Sequence, residues 1–145
     1  MVFELLATLC AGLFAGAAIY ITLVEHPARL ECGTELAATE FGPSYRRAAL
    51  MQASLAAAGL VAAMVTWVQG HGLAVLIGGL LLGAVIPFTL VVILPTNKRL
   101  LDPGLNRSSA EAAALLVRWG RLHAVRSGMS ALAFGLLLWH LAAEG

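Results

Sequence analysis

The chain has 145 residues, of which 60% are hydrophobic and only 12% charged, with a formal net charge of +1. A soluble domain runs about 45–50% apolar and about 25% charged, and a chain this short exposes a large share of its residues, so lipid has to serve as much of its solvent. The length limits the chain to one domain, and the near-neutral charge argues against a nucleic-acid partner.

The first apolar run, 2–24, exceeds the roughly 20 residues that a spanning helix needs. It opens on Met1-Val2-Phe3-Glu4, acidic where a cleaved signal would be basic, and reads as a retained span. Gly12 and Gly16, continued by Tyr20, give it a small-residue face for close packing in lipid. Cys10 lies in this run and Cys32 beyond it. Along a helix they stand more than about 20 Å apart, too far to pair.

The loop 27–44 is too long for a simple turn. Its stretch 34–41 is expected to form a short helix on the membrane surface, broken by Gly42-Pro43. A second span covers 48–69, with Ala53, Ala57 and Ala58 as its small surface. The third covers 73–94, with a close-packing pair at Gly79 and Gly83, a kink expected at Pro87 and an end at Pro95. The stretch 97–107, carrying Asp102-Pro103-Gly104, is a turn region. The fourth helix, 110–143, starts from a capping box, Ser108-Ser109-Ala110-Glu111. Its strictly apolar part is short, so a full span draws His123 and Arg126 to the hydrocarbon edge. The expectation is an all-α, integral membrane four-helix bundle forming one domain over 1–145.

Every Lys and Arg falls in one of two places: Arg29, Arg46 and Arg47 around the first loop, and Lys98, Arg99, Arg107, Arg118, Arg121 and Arg126 after the third span. Basic loops are cytoplasmic loops. With four spans both loops share one face, so both termini are expected outside, in a multi-pass protein of the plasma (inner) membrane. Trp67 and Trp139 then fall at the outer headgroup belt.

Ionisable residues at membrane depth are costly and mark function by default. Glu25 and His26 end the first span, Asn97 follows the third, and His123 and Arg126 enter the fourth, all from the basic side. Tyr45 and Gln52 share a face at the start of the second. Trp119, His123, Arg126 and Ser130 follow one helical stripe, whereas Arg118 and Arg121 lie off it and snorkel to headgroups. Arg126 needs a counter-charge inside the bundle, and Glu25 is the expected one. His26 and His123 keep three readings open: hydrogen-bonded structural histidines, an acid–base pair, or ligands. With Glu25 they would offer a donor set for zinc, copper or iron, and two facing histidines would suit a haem. His71 and His140 form a second pair near the outer face.

Taken together, these residues resemble the anthrone-oxygenase-like family of small four-span membrane proteins. The resemblance rests on Tyr20 followed by Glu25-His26-Pro27-Ala28, on Phe41 and Tyr45-Arg46, on Pro95-Thr96-Asn97, and on Trp119, His123 and Arg126, in that order along nearly the whole chain. It implies a four-helix membrane fold and, for some fungal and bacterial members, oxidation of polyketide anthrones to anthraquinones with molecular oxygen.

The expected function is a membrane oxygenase acting on a small apolar aromatic or quinone-like molecule. His123, His26, Glu25, Arg126 and Asn97 are the candidate catalytic residues, and Tyr45, Trp119, Gln52 and Tyr20 the candidate substrate-binding ones. No cofactor is required if the substrate carbanion reduces oxygen itself. The alternatives are a copper-, iron- or haem-binding redox protein and a non-catalytic assembly protein. The expected partners are the bilayer, the small substrate and a further copy of the chain in a homo-oligomer.

Overall fold

Backbone amides in lipid find no water, so each apolar run has to close its own hydrogen bonds as helix. In the computed structural model, which describes residues 1–144, four helices do so: α1 (Val2–Glu31), α2 (Thr34–Val68), α3 (Leu73–Leu100) and α4 (Ala110–Glu144). All are long and apolar enough to cross a membrane. The 35 residues of α2 measure about 52 Å at about 1.5 Å per residue, against about 30 Å of hydrocarbon. The protein is a multi-pass membrane bundle whose helices outrun the apolar layer. Leu9, Leu13, Leu23, Val61, Leu80, Val91 and Leu132 stay exposed on its flanks, which suits a lipid-facing surface.

The chain runs up and down. α1 and α3 each pack against α2 and α4, and occupy opposite corners. Two of the connections are tight because Gly33 (φ +93°) and Gly70 (φ +95°) take left-handed conformations open to glycine. The basic residues gather at the end reached by α1 and α3, called the basic end below.

The helices ignore three breaks expected from the sequence. The long first loop shrinks to Cys32-Gly33, and 34–41 forms the opening turns of α2, not a separate surface helix, with Pro43 inside it. Pro43 removes the amide that would serve the carbonyl of Thr39, an exposed residue at the basic end within reach of water. Pro95 does not end α3, which runs on to Leu100. The cap of α4 also shifts by one: Ser109, not Ser108, accepts the Ala112 amide (3.1 Å), and Glu111 turns away to take a paired bond from Arg99 (2.6 and 3.0 Å). In the loop before it, the Gly104 amide (2.8 Å) and then Arg99 (2.6 Å) hold the Asp102 carboxyl below the usual carboxylate range.

Two π turns accommodate Pro27 of α1 and Pro95 of α3. Ile21–Glu25 and Thr89–Ile93 are single widened turns, and the His26 and Leu94 amides bond carbonyls five residues back, at Ile21 and Thr89. Pro27 and Pro95 come directly afterwards, in the first turn of the next helical segment. A proline ring clashes with the carbonyl four residues earlier in a regular helix; the wider turn removes that clash. It also inserts one residue into the inward stripe. The buried positions of α1 run through Phe14, Ala18 and Ile21, then step by five to His26 and on to Arg29.

The core has two parts. Ala7, Ala11, Phe14, Ala56, Ala63, Leu82 and Leu137 fill the half away from the basic end. Phe41, Ile93, Leu100, Leu116 and Trp119 fill the basic half. Small residues set the spacing in the first half: a methyl on Gly79 would stand 2.4 Å from Ala63 Cβ, and one on Gly59 2.5 Å from Leu82 Cδ2. The expected small surface at Ala53, Ala57 and Ala58 instead faces outward, as do Gly16 and Tyr20. In the two apolar helices involved, small residues occur on both faces, so residue size alone does not tell the packed face from the lipid face.

Candidate functional site

Between the two halves of the core lies a cavity of about 180 Å³. That is room for about six waters at about 30 Å³ each. Phe14, Ala56 and Val85 close it on one side and Ile21, Phe41 and Trp119 on the other. Ala53 of α2 and Leu90 of α3 line it and are also exposed, Leu90 by 58%. The mouth therefore lies between α2 and α3, within apolar stretches that face lipid.

α4 supplies the reactive face. Its buried stripe runs Leu116, Trp119, His123, Arg126 and Ser130, the period of a one-sided helix, and Arg118 and Arg121 point outward as the spacing predicts. Trp119, His123 and Arg126 line the cavity. The indole of Trp119 also meets Phe41 edge-on, with ring centroids 5.3 Å apart. Tyr45, which also lines the cavity, stacks on the Phe41 ring with centroids 5.6 Å apart.

His123 anchors its Nδ1 to Thr22 Oγ1 (3.1 Å) of α1, and Thr22 Oγ1 contacts Ser127 Oγ (2.7 Å). Arg126 donates to Gln52 Oε1 (2.8 Å), and its guanidinium lies 5.4 Å from the Phe14 ring centre. The expected Arg126–Glu25 ion pair does not form. Glu25 pairs with Arg29, one helical turn along α1, and accepts from Ser44 Oγ at 2.7 Å. An i, i+4 partner on the same helix costs less chain ordering than one across the bundle. No carboxylate lies within ion-pair distance of Arg126 among the described residues, leaving its charge uncompensated within the protein. Gln52 Nε2, Arg126 Nε and Arg29 Nη1 are buried without an acceptor. Three surplus donors beside an apolar cavity suit a flat molecule bearing acceptor oxygens.

Arg29 was counted among the basic residues around the first loop and not among the site candidates. It is 7% exposed and lines the cavity, held by Glu25, by Glu40 (2.6 Å) and by the faces of Phe41 and Trp119 at 6.0 and 5.8 Å. Its i, i+4 spacing from Glu25 was the available signal.

The other candidates stand apart from the cavity wall. His26 is buried behind Trp119, ring centroids 5.0 Å apart, with Nε2 bonded to the Leu116 carbonyl at 3.0 Å. Gly120 makes that approach feasible, since a methyl there would stand 2.6 Å from His26 Nε2. Asn97 is buried, with no partner on either amide atom among the described residues, and does not line the cavity. Tyr20 is 56% exposed on the outer surface of α1.

The metal and haem readings do not fit this donor set. Among the described residues no three of His, Cys, Asp and Glu come together as a metal site. Trp119 packs against both His26 and His123, so the imidazoles meet through an indole and not across a gap for a macrocycle. At the far end, His140 lies 3.4 Å from Glu4 and 6.1 Å, ring to ring, from His71.

No solved structure matches the chain. A curated relative from Aspergillus fumigatus, named anthrone oxygenase tpcL, is 30% identical over 131 residues, covering 83% of this chain and 81% of the relative. The family model described as anthrone oxygenase matches residues 41–136, a stretch that takes in Phe41, Tyr45, Gln52, Trp119, His123 and Arg126. On that match, and with four membrane-crossing helices, the chain belongs to the anthrone oxygenase family.

Proposed function

We propose that the chain is a membrane oxygenase that converts an anthrone-type substrate, a flat aromatic ketone with an acidic ring CH2, into the corresponding quinone. The reaction balances as substrate plus O2 giving quinone plus water. His123 takes the CH2 proton, Arg126 holds the enolate oxygen, and Trp119, Phe41 and Tyr45 stack on the rings. The electron-rich carbanion then reduces oxygen, one C–O bond forms at the former CH2 carbon, and the second hydrogen leaves with water. His26, Glu25 and Asn97 shape the wall from behind and touch no reacting atom.

One observation carries this reading. Among the residues lining the cavity, His123 is the sole imidazole and no carboxylate is present, and His123 lies one turn from a guanidinium without a carboxylate partner. The basic end is cytoplasmic in this proposal, following the rule for Lys and Arg, with both termini outside the plasma membrane. The substrate partitions into the bilayer and enters between Ala53 and Leu90.

The test is oxygen consumption and quinone formation by detergent-purified protein given anthrone-type substrates. A His123→Ala variant that stays folded should lose about 10²–10⁴-fold in turnover. Full turnover in that variant would remove the proposal.

A further inference from the structure

We propose that Thr22 and Ser127 are positioning residues that hold His123 with its proton on Nδ1, leaving Nε2 as the nitrogen that accepts a proton. The role rests on His123 being the base of the reaction above; the tautomer itself does not.

Each hydroxyl along one chain of contacts has a single hydrogen to give. Ser127 Oγ lies 2.9 Å from the Ala18 carbonyl and 3.2 Å from the His123 carbonyl. Carbonyl oxygens only accept, so the single hydrogen of Ser127 is committed to them. The 2.7 Å contact between Ser127 and Thr22 then needs the hydrogen of Thr22. With that hydrogen spent, the 3.1 Å contact between Thr22 Oγ1 and His123 Nδ1 needs a hydrogen on Nδ1. In the opposite sense, a bare Nδ1 would draw the hydrogen from Thr22, and Thr22 would draw that of Ser127. Ser127 Oγ and the Ala18 carbonyl would then face each other at 2.9 Å with no hydrogen between them, inside a buried site. The two arrangements are unequal, and the direction of the chain is fixed by the backbone at its end.

The chain also joins two helices. Ala18 and Thr22 belong to α1, His123 and Ser127 to α4, and Thr22 sits inside the π turn Ile21–Glu25. Trp119 stacks on the imidazole, ring centroids 4.7 Å apart, which fixes the ring plane while Thr22 fixes the ring's rotation. Among the described residues Nε2 has no hydrogen-bond partner, and the ring lines the cavity. In a neutral imidazole one nitrogen donates and the other accepts, and the partner of the first sets the role of the second.

Nitrogen NMR on protein labelled with ¹⁵N-histidine reads the tautomer directly, with the His123 signals assigned by their loss in His123→Gln. The expected result is a proton on Nδ1 in the wild type and in Thr22→Ser. Thr22→Val, of nearly the same shape, should move the proton to Nε2, and Ser127→Ala should give a mixture because Thr22 can then point either way. With substrate, Thr22→Val should lower kcat by about tenfold or more, part of the roughly 10²–10⁴ that a positioned base contributes, with KM held, and Thr22→Ser should restore it. An Nε2-bound proton in the wild type overturns the proposal, as does an unchanged tautomer in Thr22→Val. The NMR measurement needs no substrate, so a protein without oxygenase activity would sink the functional reading and leave the tautomer to be decided on its own.

Discussion

The indole of Trp119 and the imidazole of His123 stack at a centroid separation of 4.7 Å with their planes 24° apart. They are one turn apart on α4, so the helix itself presents them as a pair. The same indole touches His26, Phe41 and the guanidinium of Arg29. One side chain thereby holds the proposed base flat, backs it with an aromatic surface and separates it from the second histidine. Aromatic pairs are worth about 0.5–1.5 kcal/mol beyond their buried area. Trp119→Phe keeps a ring in place and should leave the protein folded. Turnover should fall about two- to tenfold, since about 1.4 kcal/mol is a factor of ten. Wild-type kinetics in this variant would show that the stack does not orient His123.

Among the described residues Arg126 has one hydrogen-bonded partner, Gln52, and a cation–ring contact with Phe14. A ligand oxygen that takes the free Nε would gain a bond to a charged donor, worth about 1.5–3 kcal/mol. Arg126→Met should therefore weaken binding of a hydroxylated quinone by about 10- to 150-fold, read by quenching of Trp119 fluorescence or by calorimetry. Arg126→Lys should recover part of the loss, because a point charge replaces the planar fork. Equal affinity in the wild type and Arg126→Met would exclude this arginine from the binding site.

Two glycines of α4 should respond oppositely to the same change. At Gly120 a methyl would stand 2.6 Å from His26 Nε2, whereas at Gly128 nothing lies within 4 Å. Gly120→Ala should push the ring off the Leu116 carbonyl. Leaving a buried nitrogen unpaired costs about 1–3 kcal/mol, visible as a lower Tm in detergent. Gly128→Ala should be neutral or stabilising by up to about 1 kcal/mol, because alanine is the better helix former. Equal melting of the two variants would mean that His26 is not pinned as described.

Much of this was legible in the sequence. The stripe Trp119–His123–Arg126 was readable because α4 keeps one period from Leu116 to His140, and burial follows it throughout. The four helices were readable from apolar length alone. The helix ends were not, because proline was taken as a terminator. At Pro27 and Pro95 a π turn absorbs the ring, and at Pro43 an exposed rim tolerates the lost bond. Steps of four, three, four and four from Phe14 reach Arg29 through Ala18, Ile21 and Glu25, but an arginine beside the first loop was counted toward orientation and not toward the site. Glu25 was assigned to Arg126 on charge alone, while Arg29, four residues away, was the nearer partner all along.

The widened turns of α1 and α3 divide the bundle into two rotational frames. Residues before Ile21 and Thr89 follow the phase of the tightly packed far half; those after Glu25 and Ile93 are turned by about 100°, the angle of one residue in a helix that takes about 3.6 per turn. Deleting one residue from either turn would change the step of five into a step of four, the ordinary helical spacing, so His26 and Arg29, or Asn97, would keep facing the bundle. Straightening a turn without a deletion would instead rotate them away by about 100°. A relative one residue shorter at either turn would therefore present the same inner face on an unbroken helix, and an alignment pairs the polar residues correctly when its gap falls inside the turn.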